Sequence, residues 1–172
     1  RRRRQRFETG GSKKMKAIAA MSENRAIGNK GTIPWKNTDA LKWFEEFTSG
    51  KTILVGGKTY NLLPFLPKRK VLVLTNSEED ISYWEPVEDY SVAAVSLGKA
   101  QIVAKRHEII VAGGAQVYSL FMPQISEFYV THIEGVYKGD IFMPAFEPLF
   151  SQSEVIREFK GGKVVKYFNG SV

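Results

Sequence analysis

Two glycine pairs, each leading into a helix-like stretch, are the parts of this chain best suited to do chemistry. Gly113-Gly114 follows the apolar run 109–112 (IIVA), and Gly56-Gly57-Lys58-Thr59 follows the run 52–55 (TILV). Glycine lets backbone N–H groups come close to a phosphate, and a helix start adds partial positive charge. Lys58 and Thr59 add an ammonium and a hydroxyl fit for the same ligand. A tight turn with no ligand is the plain alternative for either pair. Neither is a Walker A loop, and GxGxxG is absent, so the ordinary Rossmann fingerprint is missing. Two such turns on one sheet suit a dinucleotide, whose phosphates are well separated. A third feature is the loop 22–34 (SENRAIGNKGTIP), with Gly28 and Gly31. A loop that long in a small domain is usually functional or disordered.

Other chemistries are excluded by composition. The 172 residues contain no cysteine, so disulfides and thiolate metal sites are impossible, which suits the cytosol. Only His107 and His132 could supply imidazole, and their spacing suggests no metal site. No apolar run approaches the roughly 18 residues that would span a bilayer. The net charge of +7 invites a nucleic-acid reading, but residues 1–14 hold seven basic side chains against Glu8 and carry +6 of it. Arg1 to Arg4 and Arg6 could touch phosphate backbones weakly, with strong salt dependence. The plainer expectation is a disordered leader or an appended extension, with Met15 the natural start.

The elements that must position these residues alternate. Short apolar runs at 16–21, 52–55, 71–75, 91–95 and 109–112 read as strands. Between them, 38–48, 58–63, 98–106 and 115–122 read as helices. This predicts βαβ units in one domain over 15–172: an α/β fold with a mostly parallel sheet and helices on both faces. Residues 127–134 read as a further strand. Strands 153–159 and 163–168, around a turn at Gly161-Gly162, predict an antiparallel hairpin at one edge.

The segments IAAMSENRAIGNKGTIPW, ALKWFEEFT, ILVGGKTY, LPKRKVLVLT, IIVAGGAQVY and FYVTHIEG, in this order and spacing, resemble the dihydrofolate reductase family over roughly residues 15–169. The resemblance implies a cytoplasmic, monomeric enzyme that reduces 7,8-dihydrofolate to 5,6,7,8-tetrahydrofolate with NADPH and also binds antifolate small molecules. It makes 22–34 a mobile lid, with Ala20, Ile27, Gly28, Gly31 and Thr32 meeting the nicotinamide and its ribose. Gly113, Gly114, Ala115, Gln116 and Val117, with Tyr118 behind them, would hold the pyrophosphate. Lys58 and Thr59, with Thr75 and Asn76, would serve the adenosine side. Ile18, Ile33, Leu41, Phe44 and Leu63 become apolar walls, and the carbonyls of Ile18 and Ala112 face the pterin. Thr131 fixes the pterin end through its hydroxyl, and Trp35 holds a water above it. Arg69 captures the α-carboxylate of the substrate's glutamate tail, a task for a planar guanidinium. Without the resemblance, Trp35 reads as a core aromatic, and the stripe Leu41, Phe44 and Thr48 reads as ordinary packing. His132, on the opposite face from Thr131, is expected to be structural. Family members commonly carry arginine where this chain has Gly57 and Gln116. Lys58 is then the main cation left for a 2′-phosphate, which loosens the preference for NADPH over NADH.

The larger departure is Ala40. The family places a carboxylate immediately before the Leu of this helix, where it binds the 2-amino group and N3 of the pterin and supports protonation at N5. Such a charge-assisted pair is worth roughly 1.5–3 kcal/mol for binding. Asp39 is the possible substitute, but one residue is 100° around a helix, a shift of roughly 5 Å at Cβ. Asp39 fits better as a first-turn acid after an N-cap at Thr38. Three readings stand open: an engineered or selected substitution, a weak reductase using Asp39 or water, and a non-catalytic folate or nucleotide binder. A pyrimidine reductase of riboflavin synthesis shares the fold, but Arg69 and the Trp35–Phe44 set argue against it.

Overall fold

The computed structural model describes residues 15–63, 68–75 and 90–170. The tail 1–14 and Asn76 lie outside them. The strands are β1 (Met15–Ser22), β2 (Ala26–Gly28), β3 (Thr52–Gly56), β4 (Arg69–Leu74), β5 (Tyr90–Val95), β6 (Ile109–Val111), β7 (Ile125–Ile133), β8 (Ile141–Phe142), β9 (Gln152–Phe159) and β10 (Gly162–Phe168). The helices are α1 (Thr38–Thr48), α2 (Gly57–Tyr60), α3 (Leu97–Arg106) and α4 (Ala115–Phe121).

Eight strands form one sheet in the order β5-β4-β3-β6-β1-β7-β10-β9. The pairs from β5 to β7 are parallel, and β10 runs antiparallel to both β7 and β9. Parallel strands covered on both faces read as continuous apolar runs rather than alternating ones. In β3, Ile53 and Val55 join the cluster under α1, while Leu54 joins the opposite cluster with α3 and α4. In β1, Ile18 faces α1, while Ala17 and Met21 face the other way. The parallel register pairs Ala20 with Thr131 and Ile18 with Tyr129, so these four side chains share one face. After β1 the chain moves two places across the sheet to β3, runs outward to β5, and returns to fill the gap with β6. The carboxyl ends of β1 and β6 thus flank a topological switch point, where open α/β sheets bind ligands.

Several sequence expectations are corrected. The helix expected over 58–63 is one turn, Gly57–Tyr60, followed by turns to Leu63. Part of the loop 22–34 is ordered as β2, which pairs with β8, a strand too short to carry any periodicity. The hairpin turn is one residue earlier than expected, at Lys160-Gly161, with Gly161 at φ +81°. Gly162 belongs to β10 and is required for closeness: a Cβ there would stand 3.0 Å from the His132 carbonyl.

The N-cap of α1 is Asn37, not Thr38. Its side-chain oxygen accepts the Ala40 N–H at 3.0 Å, and its amide donates to the Lys160 carbonyl at 3.3 Å. Asn ranks with Asp and Ser as an N-cap, and it precedes a residue that already has helical geometry. Replacing it removes both bonds. Asn37→Ala is expected to cost roughly 0.5–2 kcal/mol of stability. Urea denaturation at matched slope checks this, and an unchanged midpoint would assign the cap elsewhere.

Candidate functional site

A cleft of about 410 Å³ opens at the switch point. Its floor is Ile18 and Ala20 of β1 with Ala112 beyond β6, and its far wall is Ala40, Leu41, Trp43 and Phe44 of α1. Thr131 enters from β7, Leu63 from the turn after α2, and Ile27, Ile33 and Trp35 from the loop side. Thr59, Gly113, Gly114 and Tyr118 close the remaining side. Ile33 and Leu41 are about half exposed because they line an open mouth rather than a sealed core. Ala40, 9% exposed, packs beside Trp35 and Ile133. Asp39 is exposed and is not among the lining residues. No aspartate or glutamate lines the cleft among the described residues.

Polar groups in this apolar cleft are few. The Thr131 hydroxyl belongs to a residue only 2% exposed. Tyr118 donates from its hydroxyl to the Ile18 carbonyl at 2.7 Å, and burial pushes its phenol well above the usual range. The Ile18 carbonyl keeps one lone pair for another donor. Trp35 meets Tyr137 edge-on at 6.1 Å. The indole N–H of Trp43 is buried with no hydrogen-bond partner among the described residues.

The two glycine turns abut. The Gly56 N–H donates to the Gly113 carbonyl at 3.0 Å, and a Cβ on Gly114 would stand 3.2 Å from the Thr59 hydroxyl oxygen. Gly113 adopts φ +118°, which side chains avoid. Gly114 caps α4 without a side chain, so the N–H groups of Ala115, Gln116 and Val117 have no side-chain acceptor there. The Val117 side chain packs into the core, where a Cβ on Gly56 would stand 3.3 Å from it, leaving only the Val117 backbone to a ligand. Lys58 is exposed beside Thr59, and Thr75 follows the end of β4.

Arg69 stands apart from the other expected site residues. It is not among the lining residues. Its Nε donates to the Thr48 hydroxyl at 2.8 Å and its guanidinium also donates to the Glu45 carbonyl, so it docks at the last turn of α1. Carbonyl groups without intrahelical donors make a helix C-terminus favourable for a cation. Burial lowers the guanidinium pKa, with Glu45 acting the other way.

The loop 22–34 is fastened to a segment more than a hundred residues later. Arg25, at φ +69°, donates to the carbonyls of Met143 (3.2 Å) and Pro144 (2.7 Å) and pairs with Glu147 at 2.7 Å. The Lys30 N–H donates to the Asp140 carboxylate at 3.0 Å, and the Asp140 N–H donates to the Gly28 carbonyl at 2.9 Å. Gly28 therefore serves the pairing with β8, Thr32 bridges to Asn29 within the loop, and Gly31, at φ +77°, makes its turn. Sequence reasoning missed these anchors, because nothing local marks partners so distant. It also missed Lys36, Asn37 and Thr38 as lining residues, and it used Trp43 only to set the helix register.

Comparison with known proteins agrees with this fold. The family profile described as dihydrofolate reductase matches residues 14–163. A dihydrofolate reductase of Buchnera aphidicola subsp. Baizongia pistaciae is 34% identical over 135 residues, covering 77% of this chain and 78% of that protein. One from Neisseria meningitidis serogroup A is 32% identical over 141 residues, covering 78% and 81%. The solved structure of dihydrofolate reductase from Enterococcus faecalis complexed with NADP(H) and RAB-propyl superposes with a TM-score of 0.73 at 24% identity, covering 92% of this chain and 97% of that one.

The loop anchor predicts a pH response. Burial would raise the Glu147 carboxyl, but hydrogen bonds from Arg25 and two backbone N–H groups outweigh it and hold the group below its ordinary 4.5. Burial, helped by Lys163, holds His132 below its ordinary 6.5, with its ring 2.9 Å from the Tyr167 hydroxyl. Both folded values are depressed, so each contribution is complete above the unfolded pKa and is lost as pH falls through the folded one. Stability should decline on acidification from about pH 6.5, first through His132 and then through Glu147. His132→Asn should flatten the upper part of that decline in urea titrations, and an unchanged profile would count against this assignment.

Proposed function

The chain belongs to the dihydrofolate reductase family, and from that premise we propose that it carries the family's NADPH-dependent reduction of 7,8-dihydrofolate with proton supply crippled at Ala40. The single observation that carries this reading is one cleft that joins Ile18, Ala112, Thr131 and the inner face of α1 to the abutting glycine turns. The turns fit the cofactor: a Cβ on Gly114 would crowd Thr59, and the free N–H groups at the start of α4 suit a pyrophosphate. Lys58 would hold the 2′-phosphate, with Thr59 and Thr75 beside the adenosine. When bound, NADPH supplies the hydride that reaches C6 of the pterin.

The chain's own residues do the rest. The carbonyls of Ile18 and Ala112 and the Thr131 hydroxyl orient the polar edge of the pterin. Leu41, Phe44, Leu63 and Ile33 exclude water along the ring and the aminobenzoyl group, which strengthens each polar contact that remains. Trp35 would hold a water above the ring. Arg69, at the far end of α1, would take the glutamate carboxylate in exchange for part of its present bonding. What is missing is a proton route to N5. Ala40 faces the cleft and offers only a methyl group, and Asp39 lies outside the lining. Water must deliver the proton unaided, a loss of roughly two to four decades in rate. The absence of cysteine fits a cytoplasmic setting.

A second reading, a folate binder without turnover, is favoured by the lack of any lining carboxylate. Steady-state NADPH oxidation with dihydrofolate separates the two. Slow turnover is expected for the unaltered chain, with a gain of at least about two decades in Ala40→Asp. Oxidation in neither protein, with binding of both ligands retained, selects the binder.

A further inference from the structure

We propose that the outer edge of β9 is a self-association surface, where a second copy of this chain adds its own β9 antiparallel and continues the sheet across a two-fold axis. The proposal goes beyond the reductase reading and does not depend on it. β9 (Gln152–Phe159) ends the eight-stranded sheet, so one side pairs with β10 and the other with nothing among the described residues. The backbone N–H and C=O groups on that outer side form a template for another strand. Folded proteins usually guard such an edge by keeping it short or by placing lysine or proline on it. β9 has eight residues (QSEVIREF) and carries neither. Seven of the eight are exposed, and the apolar pair at its centre, Val155 and Ile156, is 45% and 37% exposed.

The one guard present is a bulge, and it arranges the charges. β10 pairs Val164 with Arg157 and Lys166 with Glu154, so β9 advances three residues where β10 advances two. Glu154 and Arg157 therefore share a face, as Val164 and Lys166 do. Val164 is buried in the cluster beneath α1, so this is the α1 face. An antiparallel copy centred between Val155 and Ile156 sets Glu154 opposite Arg157 of the second copy, and symmetry makes that pair twice. The same register brings the Val155-Ile156 pairs of both copies together at the axis. Without the bulge, residues three apart would point to opposite faces, and no two-fold axis would join these charges. Both partners are available. Glu154 has no hydrogen bond or ion pair among the described residues. Arg157 gives one N–H to Glu46 at 3.0 Å and lies over the Trp43 ring at 5.0 Å, which leaves most of its five-donor fork for a second carboxylate. An unrelated strand would need no such self-complementary pattern, which favours a second copy as the occupant. A two-fold contact of this kind closes on itself, so association stops at a dimer. One strand edge is a small interface, so the dimer is reversible.

Sedimentation equilibrium of the full chain, over roughly 1 µM to 1 mM, reads the association. A monomer–dimer equilibrium is expected, with no larger species. Glu154→Arg sets cation against cation on each side of the axis, and Arg157→Glu sets carboxylate against carboxylate. Each alone should weaken dimerisation by at least about tenfold. Mixed one to one, the two variants restore both opposite-charge pairs, and a heterodimer should form at close to the unaltered strength. Loss of the Arg157 contacts with Glu46 and Trp43 does not produce that rescue. Val155→Lys, which leaves those contacts alone, supplies the missing guard and should also leave the chain monomeric. A single monomer mass across the whole range overturns the proposal. A dimer indifferent to all three substitutions places the interface elsewhere and overturns it too. If the mixture fails to associate while both variants still unfold cooperatively, the pairing of Glu154 with Arg157 is wrong and the proposal falls with it. Growth beyond the dimer overturns the closed two-fold contact.

Discussion

Helix α1 is pinned at both ends, and the character of the cleft depends on those two fastenings. At its start the Asn37 side chain holds the Ala40 N–H and reaches across to the β9–β10 turn. At its end the Arg69 guanidinium ties β4 to Thr48 and Glu45, while the Thr48 hydroxyl donates to the Phe44 carbonyl. Between the pins, Trp43 packs with Phe47 at 5.1 Å, and Arg157 of the edge strand sits 5.0 Å over the Trp43 ring. Rotating the helix by one residue to bring Asp39 inward would break the cap, the Arg69 dock and this aromatic packing together. That coupling makes Ala40 the residue that faces the cleft, and it leaves Asp39 to complement the helix dipole from solvent.

The same economy of space governs the opposite side. The glycine turns after β3 and β6 touch through a backbone hydrogen bond, and Val117 fills the room beneath Gly56. Small residues there bring backbone N–H groups to the cleft surface, where side chains would have covered them. The Tyr118 hydroxyl links α4 to β1 through the Ile18 carbonyl, so the glycine-turn side and the floor of the cleft share one support.

How much of this was legible in the sequence follows from the range of each signal. The strands were readable because β-branched runs such as ILV and IIV must be buried on both faces of a parallel sheet. The cleft wall was readable because Leu41 and Phe44 lie one helical turn apart. Ala40 stood out only against the family's pattern, since an alanine carries no signal of its own. The true N-cap was missed by one residue because Asn37 and Thr38 are both good caps, and backbone geometry decides between them. The Arg25 and Asp140 anchors were invisible, since their partners lie more than a hundred residues away. Arg69 was singled out by register as a carboxylate anchor, but its docking on α1 depends on Thr48 and Glu45, which the sequence does not mark as partners.

An alanine at this position has a physical consequence apart from the proposed loss of proton supply. A carboxylate on α1 at this depth would be desolvated by Trp35 and Ile133, with Lys36 the only cation among the described lining residues. A desolvated charge strains the fold that holds it, and active sites commonly carry such a burden. Alanine removes that burden and is also the best helix former for the first turn. Around it stand a cleft of about 410 Å³, its apolar walls and the two abutting glycine turns. On the proposed reading this position serves helix stability and cleft shape but not proton transfer, so the two functions separate at a single side chain.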